Sequence, residues 1–230
     1  MGAYYGYFIV AGILSVVGMV ISQRLKSKFN TYSRIPIRSG LSGQEVAEQM
    51  LRYFGITDVK VVEGRGFLTD HYNPATKTVS LSEAVYRGRN IAAAAVAAHE
   101  CGHAVQHAES YSLLQMRSAL VPVVNLSAMA QQWLLIIAFM TLSSIPSIML
   151  ITIIAFAVTT LFSFITLPVE FDASRRALVW LDNSGVARGQ EYDGAKDALW
   201  WAAMTYVTAA LSALVMLLYL ILQYSGASRD

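Results

Sequence analysis

A run of 52 residues, 118–169, contains no Asp, Glu, Lys, Arg or His, and it restricts the fold more than any other feature of this sequence. An α-helix needs about 20 apolar residues to cross the hydrocarbon core of a bilayer, so the run is long enough for two spans. We place these spans near residues 120–142 and 145–167. Proline and serine favour turns, and we therefore expect a break near Ser143-Ser144-Ile145-Pro146.

Two further apolar segments, 4–21 and 202–222, also have the length of a membrane span. The chain is 55% hydrophobic and 14% charged, with a mean hydropathy of +0.47, which is typical of a membrane protein. We therefore predict a mainly α fold, a four-transmembrane-helix integral membrane protein with a small α+β domain at the membrane surface.

The spans divide the chain into five segments. A net charge of +2 predicts no nucleic-acid partner, and the single cysteine, Cys101, excludes an internal disulfide. We interpret Cys101 as a small packing residue. In chain order the segments are an N-terminal transmembrane anchor (1–23), a soluble α+β part (24–118), a transmembrane hairpin (119–168), a helix (169–200) and a C-terminal transmembrane helix with a short tail (201–230).

The distribution of charge predicts the orientation in the membrane. Four spans place 24–118 and 170–200 on the same side. These two segments contain sixteen of the seventeen Lys and Arg residues, and only Arg229 lies on the other side. Positive charges near spans remain in the cytoplasm. We therefore expect the soluble part to be cytoplasmic and both termini to lie on the external side of the cell membrane.

Turn and cap residues divide the soluble part into short elements. Ser42-Gly43-Gln44-Glu45 matches a capping box, so a helix should begin there. Residues 59–62 predict a short strand, and the turn 73–77 between the segments 66–72 and 78–81 predicts a hairpin. Ser82 or Asn90 can cap the helical region that follows.

The motif His99-Glu100-Cys101-Gly102-His103 has two imidazoles four residues apart and a carboxylate beside the first. Positions i and i+4 lie on one face of a helix, so both rings can reach one ion. Neutral imidazoles bind Zn²⁺, and a carboxylate that is not a ligand can take a proton from the attacking water. This pattern also occurs by chance, so a third ligand is needed to support it.

Glu170 is the best candidate for a third ligand, because it follows directly after the third predicted span. We expect a new helix to begin at Pro168, and a carboxylate in its first turn can complete a His₂Glu site for one zinc ion. Alternatively, Glu170 only marks a membrane exit, where an acid in a first turn is favoured. His107 shares the face of His103 but lies a full turn farther along, so we expect it beside the site or at the surface.

Together these motifs resemble the YugP-type family of prokaryotic membrane zinc metallopeptidases. The resemblance implies a peptidase of the cell membrane, with one Zn²⁺ on His99, His103 and Glu170 and with Glu100 as the general base. The chain also resembles, less closely, the HtpX and CaaX-protease group. In that group an Asp lies four residues after the glutamate that is the third ligand. The segments that carry the resemblance are His99-Glu100-Cys101-Gly102-His103-Ala104-Val105-Gln106, Leu167-Pro168-Val169-Glu170-Phe171-Asp172-Ala173-Ser174-Arg175-Arg176, Leu68-Thr69-Asp70-His71-Tyr72-Asn73-Pro74 and Ala202-Ala203-Met204-Thr205-Tyr206-Val207.

The position of that Asp is occupied by Ser174 in this chain, and Asp172 could replace it from a different helix face. His71 and Tyr72 lie near the hairpin and are candidates for stabilising an oxyanion, or else they are ordinary loop residues. Arg175 and Arg176 fit the charges that set membrane topology better than they fit substrate clamps.

Two functions of different classes fit the sequence. In the first, the protein is a zinc endopeptidase in which Glu100 activates water and then protonates the leaving amine. Its partner is a peptide or protein substrate, including the juxtamembrane segments of other proteins. In the second, it is a membrane binding or scaffold protein with a structural, non-catalytic zinc site. Glu100 favours the peptidase, because a purely structural site has no use for that carboxylate.

Overall fold

The computed structural model describes residues 2–142 and 144–227, which form a mainly helical protein with one small sheet. The predicted break residue Ser143 and the charge at Arg229 lie outside the described residues. In chain order the elements are α1 (Gly2–Tyr32), α2 (Gly43–Tyr53), β1 (Lys60–Gly64), β2 (His71–Asn73), β3 (Thr78–Ser82), α3 (Glu83–Tyr86), α4 (Ile91–Ala108), α5 (Ser112–Thr141), α6 (Ser147–Asn183) and α7 (Gln190–Ala227).

Four helices in the described part of the chain are long and apolar enough to cross a membrane. They correspond to the four predicted spans, and α5 ends and α6 begins on either side of the predicted break. The helical segments are Tyr4–Tyr32, Ser112–Thr141, Ser147–Asn183 and Gln190–Gly226.

The prediction that a new helix begins at Pro168 is wrong, because α6 continues through this residue. Proline removes only one backbone donor, and its fixed φ is a helical value. In apolar surroundings the other backbone hydrogen bonds are costly to break, so long apolar helices tolerate proline. Pro122 lies inside α5 in the same way. Glu170 is therefore in the interior of a helix, and the interpretation of it as a first-turn acid loses its basis.

The described residues form two compact units. The first, here called the apolar unit, falls within Met1–Ile21, Met116–Leu167 and Thr205–Asp230. The second, the mixed unit, consists of Ser22–Gln115 and Pro168–Met204.

Polar side chains link helices within the apolar unit. Gln131 of α5 donates hydrogen bonds of 2.8 Å to the Ala155 carbonyl and to the Thr159 hydroxyl of α6. Thr152 of α6 donates to the Leu134 carbonyl at 3.3 Å. Such bonds hold apolar helices together where contact between apolar surfaces alone gives little preference for one arrangement.

The mixed unit is built around α4, whose first two turns are alanine-rich and almost completely buried. Small side chains let α2 pack closely on α4, with Val46 and Met50 fully buried. The side chain of Asn90 accepts a hydrogen bond from the Ala93 amide at 2.9 Å, which identifies Asn90 as the cap of α4. The capping box predicted at Ser42 is confirmed.

The sheet has the strand order β1-β3-β2. The predicted hairpin is confirmed, because β2 pairs antiparallel with β3 and His71 lies opposite Ser80. The strand predicted at 59–62 is β1, which pairs parallel with β3. This order leaves β2 at an edge of the sheet, where it lies beside α4.

Candidate metal centre

Helix α4 presents His99 and His103 on one face. The two imidazole rings have centroids 4.9 Å apart and lie nearly perpendicular to each other. The arrangement follows from the i, i+4 spacing, because residues four apart are one above the other on a helix. Both side chains are nearly buried, with exposed fractions of 12% and 9%.

Glu170 of α6 completes a cluster of three potential ligands. Its Oε2 lies 3.3 Å from His99 Nε2 and 3.6 Å from His103 Nε2. One ligand atom from each residue lies within 4.8 Å of the others. The structure thus brings together the three side chains that the sequence proposes as ligands, and we call them the His–His–Glu cluster.

The spacing of the cluster fits a shared zinc ion better than direct hydrogen bonds. Ligand atoms about 2.0–2.1 Å from a tetrahedral zinc lie about 3.3 Å from one another. The distances of 3.3 Å and 3.6 Å match this value. Hydrogen bonds between a charged nitrogen and a carboxylate are shorter, about 2.7–2.9 Å. Two imidazole nitrogens and a carboxylate oxygen are also a known donor set for zinc, with one position left for water.

The electrostatics of the cluster favour a cation. Burial alone would lower the pKa of the His103 imidazole, but the nearby Glu170 and Glu100 carboxylates outweigh burial and raise the pKa above its ordinary value. The same two carboxylates would also attract a metal cation bound by these side chains.

His99 is supported from α6 by Ser174. The Ser174 hydroxyl lies 3.1 Å from His99 Nδ1, the nitrogen that points away from the cluster. Ser174 occupies the position at which the HtpX and CaaX-protease group has an Asp. In this chain the serine hydroxyl therefore contacts His99 where that group would have a carboxylate. This bond orients the ring so that Nε2 faces Glu170.

His103 is supported by Gln106, a residue whose importance the sequence analysis missed. Gln106 Oε1 lies 3.0 Å from His103 Nδ1, and Gln106 Nε2 donates to the Val169 carbonyl at 2.8 Å and to Asp172 at 2.9 Å. The available signal was the i, i+3 spacing, which places Gln106 on the same helix face as His103. Asp172, proposed as a substitute for the missing Asp, thus reaches His103 through a glutamine.

Charged residues hold Asp172 in turn. Arg175 and Arg176 both donate to it at 2.5 Å, and Arg176 also contacts Glu109 at 2.6 Å. The two arginines therefore have a local structural role, and their influence on topology stays a prediction.

Glu100 lies beside the cluster and contacts the sheet. The backbone N–H of Tyr72 in β2 donates to Glu100 Oε2 at 2.9 Å. Only 8% of Glu100 is exposed. The contact fixes one carboxylate oxygen of Glu100 against an edge strand.

The other histidines lie outside the His–His–Glu cluster. His71 is exposed, and its Nδ1 lies 2.8 Å from the Thr69 carbonyl. His107 Nδ1 bonds the Tyr72 hydroxyl at 2.7 Å. Burial raises the pKa of the Tyr72 phenol, so the hydroxyl keeps its proton. The oxyanion roles suggested for His71 and Tyr72 remain predictions.

Cys101 and Gly102 serve packing. Cys101 is fully buried, and burial raises the pKa of its thiol, which excludes it as a thiolate nucleophile. Gly102 lies where α4 and α6 meet, and a Cβ there would be 2.5 Å from the Ala173 carbonyl oxygen. Only glycine permits this approach, and Ala173 lies between Glu170 and Ser174 on α6.

Comparison with known proteins agrees with this chemistry. A family model described as "Putative neutral zinc metallopeptidase" matches residues 7–225, a region that contains the whole His–His–Glu cluster. The "Putative membrane protease YugP" of Bacillus subtilis (strain 168) is 46% identical over 195 residues, which is 85% of this chain and 86% of that relative. No solved structure matches the chain.

Substituting Gly102 by alanine should weaken zinc binding by at least about 10-fold, because the new Cβ would force α6 and its ligand away from α4. The dissociation constant can be measured by competition with a chromophoric chelator. Gly18→Ala is the matched control, since a Cβ there meets nothing within 4 Å. An unchanged affinity in Gly102→Ala would show that this close approach does not position the ligands.

Proposed function

The chain belongs to the family described as "Putative neutral zinc metallopeptidase", and from this premise we propose that it is a membrane-embedded, zinc-dependent endopeptidase. One observation supports the proposal most strongly. Glu170 Oε2 lies 3.3 Å and 3.6 Å from the Nε2 atoms of the two motif histidines, while Glu100 lies beside them and contacts an edge strand.

His99, His103 and Glu170 would hold a single zinc ion through two imidazole nitrogens and one carboxylate oxygen. Zinc bound there supplies Lewis-acid chemistry, which polarises the scissile carbonyl and lowers the pKa of water. The residues of the chain provide the remaining parts of the reaction.

Glu100 acts as the general base and then as the general acid. Its Oε2 is fixed by the Tyr72 amide, so Oε1 accepts the proton from the attacking water. The same carboxyl group then delivers this proton to the nitrogen of the leaving amine. The reaction breaks the peptide C–N bond. Water contributes its hydroxyl to the new carboxyl terminus and its proton to the new amino terminus.

Strand β2 provides a surface on which a substrate can bind. A peptide in extended conformation can pair with the edge of a sheet through its backbone, and its side chains then add specificity. The proposed substrate is a peptide or protein segment, including a juxtamembrane segment, that lies along the edge at residues 67–72 beside Glu100. Phe67 is exposed there.

We also propose that the apolar unit is inserted in the cell membrane. Large apolar side chains on its helices face outward, with Leu126 and Leu222 exposed by 70% and 68%. Apolar surface on this scale needs lipid or protein around it. The concentration of Lys and Arg in 24–118 and 170–200 supports a cytoplasmic active site and external termini.

His103→Ala should reduce the zinc content to background, because the cluster loses one of its three ligands. Elemental analysis of the purified protein measures this. His71→Ala is the matched control, since His71 is exposed and bonds a backbone carbonyl, and it should keep about one zinc per chain. Full stoichiometry in His103→Ala would refute the ligand assignment.

Glu100→Gln should keep zinc but lose about 10²–10⁴-fold in peptide hydrolysis, because glutamine cannot accept the proton. The amide oxygen can still accept the hydrogen bond from the Tyr72 amide, so the fold is preserved. Glu48→Gln on α2 is the control and should be fully active. Near wild-type turnover in Glu100→Gln would refute the mechanism, and a protein that binds zinc without any peptidase activity would favour the scaffold function.

The orientation can be tested with single cysteines at Thr76 and Ser228 in a Cys101→Ala background. A membrane-impermeant thiol reagent applied to intact cells should label the cysteine at 228 but not the one at 76. The turn that carries Thr76 is exposed, so permeabilised cells should label it and provide the control. The reverse pattern in intact cells would place the active site outside.

A further inference from the structure

A histidine that binds zinc through Nε2 must carry its proton on Nδ1. A neutral imidazole exists in two tautomers, and the hydrogen bond made by one nitrogen decides which nitrogen is free for the metal. His103 bonds Gln106 through Nδ1, but a glutamine amide can present either an oxygen or an NH₂ group. The groups around Gln106 therefore decide which tautomer His103 adopts.

Those surroundings allow only one orientation of the amide. The Val169 carbonyl and the Asp172 carboxylate lie at 2.8 Å and 2.9 Å from the same end of Gln106, and both are acceptors. The NH₂ group must face them, because an amide oxygen at that end would meet two other oxygens. Oε1 then faces His103 Nδ1, which must be the donor. Gln106 is fully buried, so water cannot replace these contacts.

Asp172 is fixed as an acceptor by its own partners. Arg175 and Arg176 donate to both of its oxygens, so the carboxylate presents lone pairs and no proton to Gln106. His99 has no equivalent support, because the Ser174 hydroxyl can either donate or accept. The two ligand histidines are therefore supported differently, and only His103 has its tautomer set by the protein.

We infer that Gln106 and Asp172 are positioning residues that set the Nδ1–H tautomer of His103, and so prepare its Nε2 for the metal before zinc binds. The inference rests on the proposed function only in taking His103 as a zinc ligand. The residues act in series, with the arginines orienting Asp172, Asp172 orienting Gln106, and Gln106 orienting the imidazole.

The test uses Gln106→Met, which keeps the length of the side chain but removes both hydrogen-bonding groups. In the metal-free, full-length protein with ¹⁵N-labelled histidine, NMR at a pH where the imidazoles are neutral should show His103 protonated on Nδ1 in the wild type. The variant should lose this preference, and its zinc dissociation constant should rise about 10–100-fold in chelator competition. Gln44→Met is the control, because Gln44 bonds Glu48 on its own helix α2, and it should change neither measurement.

Asp172→Ala provides a second variant in case Gln106→Met does not fold. It should weaken zinc binding several-fold, and it should add little in a Gln106→Met background because the residues act in series. Additive effects in this double-mutant cycle, or weakened zinc binding with an unchanged His103 tautomer, would overturn the inference. The zinc content of His103→Ala distinguishes a failure of the ligand assignment from a failure of the positioning role. If His103→Ala keeps its zinc, the ligand assignment fails. If it loses zinc while Gln106→Met binds zinc as the wild type does, only the positioning role fails.

Discussion

The close approach of α4 and α6 at Gly102 is the contact on which the candidate site depends. It places Glu170 of α6 beside the imidazoles of His99 and His103 on α4. Glu170 Oε2 lies 3.3 Å and 3.6 Å from their Nε2 atoms. A buried carboxylate is unfavourable unless a positive charge compensates it. Glu100 and Glu170 together bring two carboxylates into this nearly buried region, and a divalent cation bound there would neutralise both. The packing of the helices and the affinity for a metal are thus parts of one arrangement.

The groups behind the two histidines are neutral where they touch the rings. A carboxylate in direct contact with each imidazole would add two further negative charges to a site that already contains Glu100 and Glu170. The hydroxyl of Ser174 and the amide of Gln106 avoid this cost. The charge of Asp172 is kept one residue farther away, where Arg175 and Arg176 can pair with it. The network can therefore orient a ligand without making the buried region more negative.

The small sheet matters because its strand β2 lies beside the motif that contains Glu100. Strand β2 uses one side to pair with β3, while the Tyr72 amide donates to Glu100. An edge strand normally leaves such donors for water or for another chain. Here the edge both positions the proposed base and lies where an extended substrate would bind. In our proposal, substrate binding and proton transfer are thus linked through a single three-residue strand.

The sequence by itself determined the local and periodic features of this protein. Apolar length identified the four long helices, cap chemistry identified Ser42, and the i, i+4 spacing placed His99 and His103 on one face, because each depends on residues close together in the chain. Cap chemistry left Ser82 and Asn90 as alternatives for α4, and the structure selected Asn90. Tertiary structure decided the rest. It carried α6 through Pro168, and it joined Gln106 to Asp172 across 66 positions. Sequence spacing could not reveal that bond, because it exists only where two helices are packed closely enough for an amide to reach a carboxylate.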